Sequence, residues 1–267
     1  MGRSGEGISV EVCVLASGSA GNCIYVSGAG TRLLIDAGLS LREITARLRQ
    51  LDVAVDSIQA VLFTHDHLDH CSGAGVLWRR HALPLFANEG TAAGIELAVK
   101  GLQAEWNIFE TGSAFPVGGL AVEAFSVSHD AADAVGFVIA DDRARIGIVT
   151  DLGMVTTLVQ RKLASCDLLV LETNHDVEML RQSGRPWSLI QRIQGRQGHL
   201  SNEDAAVLLE NVLGPRLQAI FLAHLSEQCN APHLAERAVR EVLRRAGRED
   251  IRLEHTRPDA ISARIEL

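Results

Sequence analysis

Apolar residues occur along the first part of the chain as short continuous runs, and most of these runs end in polar or glycine-rich stretches. The runs over residues 10–16, 23–27, 31–35 and 58–63 predict buried strands. Apolar residues at helical spacing between the last two runs predict a helix over residues 40–51. Strands that alternate with helices are typical of an α/β fold.

The second half of the chain repeats this order of elements. Residues 32–38, a helix and residues 58–65 are echoed by residues 145–153, a helix from Met154 and residues 167–175. A third stretch, residues 217–224, copies residues 58–65. Between the halves, helices are predicted over residues 71–81 and 89–100, with strands over residues 84–87 and 120–127. Two such halves would place a site in the cleft between two packed sheets.

The composition is ordinary for a soluble globular enzyme with one large core. The chain has 267 residues, of which 47% are hydrophobic and 22% charged. We expect a flexible tail over residues 1–8 and a single domain over residues 9–267. The sequence shows no apolar run long enough to span a bilayer and no signal-peptide pattern, so a cytoplasmic location without membrane contact is expected.

Charge and cysteine content exclude further classes. A net charge of -8 argues against a protein that coats nucleic acid nonspecifically, although a locally basic groove remains open. The five cysteines show no paired spacing, so a disulfide framework is not expected in a chain of this size.

The candidate chemistry is concentrated in His65-Asp66-His67-Leu68-Asp69-His70, directly after a predicted strand. Three imidazoles and two carboxylates at the end of an apolar run would be costly unless a metal held them together. His65 and His67 can share one ion, while Asp69 and His70 can reach a second. Asp36, at another strand end, is either an acceptor that orients a ligand histidine or an acid at a helix N-terminus.

The spacing His-x-His-x-Asp-His resembles the signature of the metallo-β-lactamase superfamily. Three stretches match the superfamily's later ligands in chain order: Ser128-His129-Asp130, Thr150-Asp151-Leu152-Gly153 and Ala223-His224-Leu225-Ser226. The resemblance implies a four-layer αββα sandwich and two divalent ions per chain, with zinc expected and manganese permitted. The resemblance implies that the first ion is bound by His65, His67 and His129. It implies that the second ion is bound by Asp69, His70 and His224, and that Asp151 bridges the two ions.

Further stretches resemble the branch of that superfamily known as YycJ, VicX or WalJ. They are Leu15 to Asn22, Ser128 to Ala131, Glu172 to Asp176, Gly198 to Asn202 and Leu222 to Ser226. This resemblance implies a 5′ to 3′ exodeoxyribonuclease-like nuclease in which a metal-bridging hydroxide attacks phosphorus. Trp187, Gln191 and Cys229 depart from the branch pattern, which puts inferences about substrate contacts in doubt.

A stretch without acidic residues, from Met179 to Asn202, favours an anionic substrate. Its four arginines suit phosphates, and the indole of Trp187 can stack on a base. A solvated helix face is the alternative interpretation. We therefore expect nucleic acid, with DNA favoured by the resemblance, to contact the following residues: Arg181, Arg185, Trp187, Arg192 and Arg196.

Other candidates lie in loops. Asn22 closes a small-residue loop that could approach an anion or form a plain hairpin turn. His199 and Asp69 are candidates for passing a proton to the leaving oxygen, and Ser201 is a candidate substrate contact. His175 is interpreted as either a substrate contact or a structural residue.

The same metals could act on an acyl carbon, so a binuclear zinc hydrolase of a small thioester or lactone, similar to glyoxalase II, is the alternative function. The oligomeric state is left open.

Overall fold

The computed structural model describes residues 9–267. The predicted tail over residues 1–8 lies outside the described residues. The first sheet is built from β1 (Glu11–Ala16), β2 (Cys23–Gly28), β3 (Thr31–Ile35), β4 (Ala60–Leu62), β5 (Leu85–Ala87), β6 (Trp106–Ile108) and β14 (Ile265–Glu266). The second is built from β7 (Ala114–Val117), β8 (Leu120–Ser126), β9 (Val135–Ala140), β10 (Arg145–Val149), β11 (Leu168–Glu172), β12 (Ala219–Ala223) and β13 (Arg252–His255).

The helices cover the outer faces of the sheets. They are α1 (Leu41–Arg49), α2 (Leu68–Cys71), α3 (Ala74–His81), α4 (Glu89–Ala98), α5 (Thr157–Leu163), α6 (Val177–Arg181), α7 (Trp187–Ile193), α8 (Asn202–Val212) and α9 (Pro232–Arg245). Within residues 9–267, no helix is long and apolar enough to cross a bilayer.

The two sheets have matching topologies. The strand orders are β14-β1-β2-β3-β4-β5-β6 and β13-β12-β11-β10-β9-β8-β7. In each, an antiparallel hairpin, β2–β3 or β9–β10, is followed by parallel strands. Carboxyl ends of parallel neighbours lie at the same sheet edge, so the polar residues that follow them are brought together there.

Three apolar layers separate the sheets and helices, because successive strand residues point to opposite faces. In β3, Leu33 and Ile35 lie between the two sheets while Leu34 faces the helices. In β11, Leu168 and Val170 lie between the sheets and Leu169 faces the other helix layer. This arrangement confirms the predicted four-layer αββα sandwich.

Local signals explain where several helices begin and end. Ser40 caps α1 in a reciprocal capping box with Glu43. The prediction of a single helix over residues 71–81 is wrong, because α2 ends at Cys71 and α3 begins at Ala74. Between them, the amide of Gly73 donates to the Ala37 carbonyl at 2.8 Å instead of to a carbonyl of the preceding helical turn.

The echo between the halves is present in the sheets, with one difference. β3 and β10 occupy equivalent positions, as do β4 and β11. The third stretch, which copies residues 58–65 in sequence, forms β12, which occupies the position of β5 rather than β4. Sequence similarity therefore identified a strand that is followed by a histidine, but it did not identify which strand of the first sheet this strand matches.

Candidate metal centre and substrate pocket

Polar side chains from both sheets converge at the edge where the parallel strands end. Metal-ligand atoms of His65, His67 and His129 lie within 4.8 Å of one another. A second set with the same spacing contains Asp69, His70 and His224. These are the two trios predicted for the two ions. Their members come from the loops after β4, β8 and β12 and from α2, so the fold brings together residues far apart in the chain.

Asp151 lies between the two trios. Its Oδ2 is 3.2 Å from His70 Nε2, and its Oδ1 is 3.8 Å from His129 Nε2. The side chain is buried and the backbone has φ 56°, a left-handed conformation uncommon outside glycine. This conformation turns the carboxylate from the end of β10 toward the histidines.

Each histidine of the trios is held through one ring nitrogen, which leaves the other directed at the cluster. The holding contacts are His65 Nδ1 to Thr64 Oγ1 at 2.9 Å, His67 Nε2 to the Asp130 carbonyl at 3.2 Å, His129 Nδ1 to the Gly198 carbonyl at 3.1 Å, His70 Nδ1 to Asp36 Oδ2 at 2.8 Å and His224 Nδ1 to Glu172 Oε1 at 3.1 Å. Such contacts fix ring orientation and tautomer in metal sites.

Several buried atoms that face the cluster have no hydrogen-bond partner. His65 Nε2, His224 Nε2 and Asp151 Oδ2 are buried and make no hydrogen bond. Buried polar atoms are rarely left unpaired, because each costs roughly 1–3 kcal/mol. One cation at each trio would together satisfy all three. Imidazole and carboxylate donors suit zinc and also permit manganese, so the residues fit the predicted metals.

The electrostatics of the cluster favour a bound cation. Burial alone would raise the pKa of Asp151, but His224 and His70 hold it well below its usual range. Burial lowers the pKa of His65 and of His129, which keeps their lone pairs free. Burial would also lower the pKa of His224, but Asp151, Asp69 and Glu172 raise it to about 10. Without metal, protons therefore compete for part of the cluster.

Asp36 lies beneath the second trio. Its carboxylate accepts from the Thr64 amide and hydroxyl, each at 2.8 Å, and contacts His70 Nδ1 at 2.8 Å. The alternative, an acid at a helix N-terminus, does not describe it, because Ser40 caps the following helix.

Glu172 is the functional candidate that the sequence analysis missed. It is fully buried, and its Oε1 contacts His199 Nδ1 at 2.8 Å as well as His224 Nδ1. Burial would raise the pKa of Glu172, but His199 and His224 lower it to about 2. A period-two signal could have found it, since Glu172 continues the face of Leu168 and Val170 that lies between the sheets.

A pocket of about 260 Å³ opens over the cluster. His199 lies in its wall, and the contact of His199 Nδ1 with Glu172 leaves Nε2 available. The complete lining is Ser19, His67, Asp69, Asp130, Asp151, Leu189, Arg192, Ile193, Gly198, His199 and His224.

The predicted arginines are distributed around this pocket rather than gathered in it. Arg192 lines the pocket. Arg185 donates to Gln228 at 3.1 Å, and Arg196 contacts the Met154 sulfur at 3.3 Å. Arg181 is exposed at the end of α6. Nearby, the side chain of Trp187 is exposed at the start of α7.

Three other candidates are buried away from the pocket lining. Asn22 lies within the cluster, with its Nδ2 2.9 Å from His70 Nε2. Ser201 caps α8 by accepting the Asp204 amide at 3.0 Å. His175 is 2% exposed, and its Nδ1 has no hydrogen-bond partner. Direct substrate contact by any of them would require movement.

Comparisons with known proteins show which sequences the chain is similar to. Residues 31–224 match the family model described as the beta-lactamase superfamily domain. The chain is 38% identical to exodeoxyribonuclease YycJ of Bacillus anthracis, covering 90% of this chain and 91% of the relative. It is 36% identical to exodeoxyribonuclease WalJ of Streptococcus pneumoniae, covering 97% of this chain and 99% of the relative.

Solved structures support the fold. The metallo-beta-lactamase fold protein YhfI from Bacillus subtilis superposes with a TM-score of 0.71 at 15% identity, covering 95% of this chain and 99% of that one. A diphosphatase of the PhnP family superposes with a TM-score of 0.67 at 17% identity, covering 97% and 98% of the two chains.

Proposed function

Since the chain belongs to the metallo-β-lactamase superfamily, with relatives of the YycJ and WalJ branch, we propose that it is a metal-dependent phosphodiesterase that digests DNA from the 5′ end. One observation carries the proposal. Arg192, a side chain suited to phosphate, lines the same pocket as Asp151 and His224, each of which has a buried metal-ligand atom without a hydrogen bond. Relatives named exodeoxyribonucleases, with coverage of 90% or more of this chain, support the substrate class.

In this proposal the two trios would each hold one divalent ion, and the carboxylate of Asp151 would be available to both. Zinc is the expected ion and manganese the alternative. Bound ions would neutralise phosphate charge and lower the pKa of a water molecule toward about 7. Asp36 and Glu172 hold the rings of His70 and His224 through Nδ1, so that Nε2 of each ring is left to bind an ion.

His199 is the proposed general acid. Its Nδ1 is held by Glu172, which leaves Nε2 on the pocket side to donate a proton to the departing oxygen as the phosphorus–oxygen bond breaks. Asp69, the other candidate, lies 3.6 Å from His70 Nε2 and 3.8 Å from His224 Nε2, which suits a metal ligand better. Arg192 would hold a phosphate of the substrate.

The deciding experiment is turnover of oligonucleotides labelled at either end. Single-stranded DNA, duplex DNA and RNA should be compared with zinc or manganese added, and a glutathione thioester should serve as the rival substrate. We expect mononucleotides to be released from the 5′ end of DNA, with no thioester turnover. Efficient thioester hydrolysis with inert oligonucleotides would establish the alternative function instead.

The role of His199 is tested separately from metal binding. His199→Ala should lower kcat by roughly 10² to 10⁴ with little change in KM. His233→Ala, which changes an exposed histidine on α9, is the matched control and should leave both constants unchanged. An unchanged kcat in His199→Ala would remove His199 from the mechanism.

A further inference from the structure

Asp130 and Arg192 form an ion pair in the wall of the pocket. Arg192 Nε donates to Asp130 Oδ2 at 2.6 Å, and both side chains line the cavity. Arg192 lies in the last turn of α7, whereas Asp130 follows the candidate ligand His129. The pair therefore joins the arginine-bearing wall of the pocket to the candidate metal centre.

The backbone of Asp130 is held on both sides. Its amide donates to the Gln197 carbonyl at 3.0 Å, and its carbonyl accepts from His67 Nε2 at 3.2 Å. Its Oδ1 lies 3.5 Å from His129 Nε2. The carboxylate thus has a set position relative to the candidate ligands.

Arg192 has little else to hold it. Its side chain is 64% exposed, and within residues 9–267 its hydrogen bond and ion pair are both with Asp130. The hydrogen bond uses Nε, which leaves both terminal nitrogens for another anion. An exposed arginine loses rotamer freedom when it binds a ligand, and an arginine held beforehand loses less.

We propose that Asp130 is a positioning residue that holds the guanidinium of Arg192 over the candidate metal centre, ready to receive a phosphate group. This inference rests on the proposed nuclease function and deepens it. An acid in the wall of a pocket for an anionic substrate repels that substrate. The fixed orientation of Arg192 offsets this repulsion.

The arrangement also identifies the ligand chemistry. A guanidinium held through Nε presents its two terminal nitrogens side by side, which matches two oxygens of one phosphate. Arg192→Lys would keep the charge and lose this fork. A neutral acyl substrate would gain nothing from the pair, so Asp130 and Arg192 favour an anionic substrate, which under the proposed nuclease function is a phosphate group.

A double-mutant cycle tests the positioning role. The variants are Asp130→Ala, Arg192→Ala and their combination, measured by oligonucleotide kinetics and by calorimetric binding of deoxyadenosine monophosphate to the zinc-loaded protein. Asp130→Ala should raise KM and the nucleotide Kd by roughly two- to tenfold, with kcat and zinc content unchanged. Asp130→Asn, which retains an acceptor, should fall between wild type and Asp130→Ala.

The decisive comparison is the effect of Asp130→Ala when Arg192 is already absent. There it should leave nucleotide binding unchanged or tighter, because only the repulsive charge has been removed. Glu241→Ala is the matched control, since it breaks an exposed ion pair with Arg244 on α9. It should change neither KM nor nucleotide binding.

Equal weakening of binding by Asp130→Ala in both backgrounds would overturn the inference. So would tighter binding in the wild-type background, or loss of zinc, which would make Asp130 a metal ligand. A different outcome would contradict the proposed function alone. If no oligonucleotide is cleaved while the nucleotide-binding cycle still shows the coupling, the positioning role stands and the nuclease proposal falls.

Discussion

The two halves of the molecule contain the same Asp-x-Gly turn in different chemical roles. Asp36 follows β3 and Asp151 follows β10, and both have left-handed backbones, with φ 61° and 56°. Two residues later, Gly38 closely approaches the backbone of α2, and Gly153 closely approaches the loop between α7 and α8. A Cβ on Gly38 would lie 1.6 Å from the Asp69 carbonyl oxygen, and one on Gly153 would lie 2.4 Å from the Gly198 amide nitrogen.

The difference lies in what satisfies each carboxylate. Asp36 accepts from the amide and hydroxyl of Thr64, at the end of the neighbouring strand. In the second half, the position in register with Thr64 is Asn174, whose side-chain amide donates to the His224 carbonyl at 2.8 Å instead, and Asp151 Oδ2 has no hydrogen-bond partner. The same turn thus produces a satisfied acid that orients a histidine and an unsatisfied acid available to a metal.

The largest effect should come from replacing the unsatisfied member. Asp151→Asn keeps the shape of the side chain and removes its charge, so the two ions would lose their shared anion. We expect kcat to fall by at least roughly 10³ and metal affinity to fall at both sites. Elemental analysis after dialysis, together with oligonucleotide turnover, measures both effects.

Far-ultraviolet circular dichroism should show that Asp151→Asn remains folded. Two tightly held ions and wild-type turnover in this variant would mean that Asp151 does not act as the bridge, and the contrast with Asp36 would disappear.

The next largest effect tests the glycines of the two turns. Gly38→Ala and Gly153→Ala each force a Cβ against backbone atoms that cannot rotate away. Each should lower the free energy of unfolding by about 3 kcal/mol or more, with Gly38→Ala the more severe. Chemical denaturation measures the change.

Gly75→Ala is the control for these variants, because its new Cβ would meet mainly the flexible end of Arg79, at 3.0 Å. It should be tolerated within α3. Equal stability of all three variants would show that the surrounding backbone relaxes around the new Cβ atoms. Neither turn would then require glycine.

Much of this contrast could be predicted from local patterns in the sequence. Continuous apolar runs located the strands, and ligand-type residues directly after them located the two trios and Asp151, because a strand end sets both burial and direction. The grouping of the trios came from the family resemblance. The family and the αββα fold are shown by the comparisons, while the roles of the individual ligands remain predictions.

Local patterns can place a residue on a face of a strand or helix, but they could not assign a role that depends on distant partners. Glu172 looks like the end of an apolar strand, and the histidines that it contacts lie 27 and 52 residues further along the chain. Ser201 was predicted to contact substrate, although the Ser-x-x-Asp spacing to Asp204 is a local helix-cap signal. Arg192 could not be separated from the other arginines without the position of α7.

A smaller effect is expected from Asp36, the satisfied member of the pair. Asp36→Asn retains one acceptor for the Thr64 amide but weakens the hold on His70. Metal affinity should fall by roughly 10- to 100-fold, while activity at saturating metal largely recovers. Competition with a zinc chelator measures the affinity. If activity does not recover at high metal concentration, Asp36 takes part in the reaction itself rather than only holding His70.

The smallest effect concerns His175, which sequence similarity aligned with His65. Burial lowers the pKa of His175 to about 4, against an ordinary value of 6.5. Between these values the unfolded chain binds a proton that the folded protein excludes, so His175 reduces stability as pH falls from 6.5 toward 4. From about pH 7 to about pH 5.5, His175 lowers the free energy of unfolding by about 1 kcal/mol.

His175→Gln should lose that part of the pH dependence in urea unfolding, whereas His233→Gln should retain it. If His175→Gln retains it and instead raises KM for oligonucleotides, His175 is a substrate contact and the two halves are more alike than their carboxylates indicate.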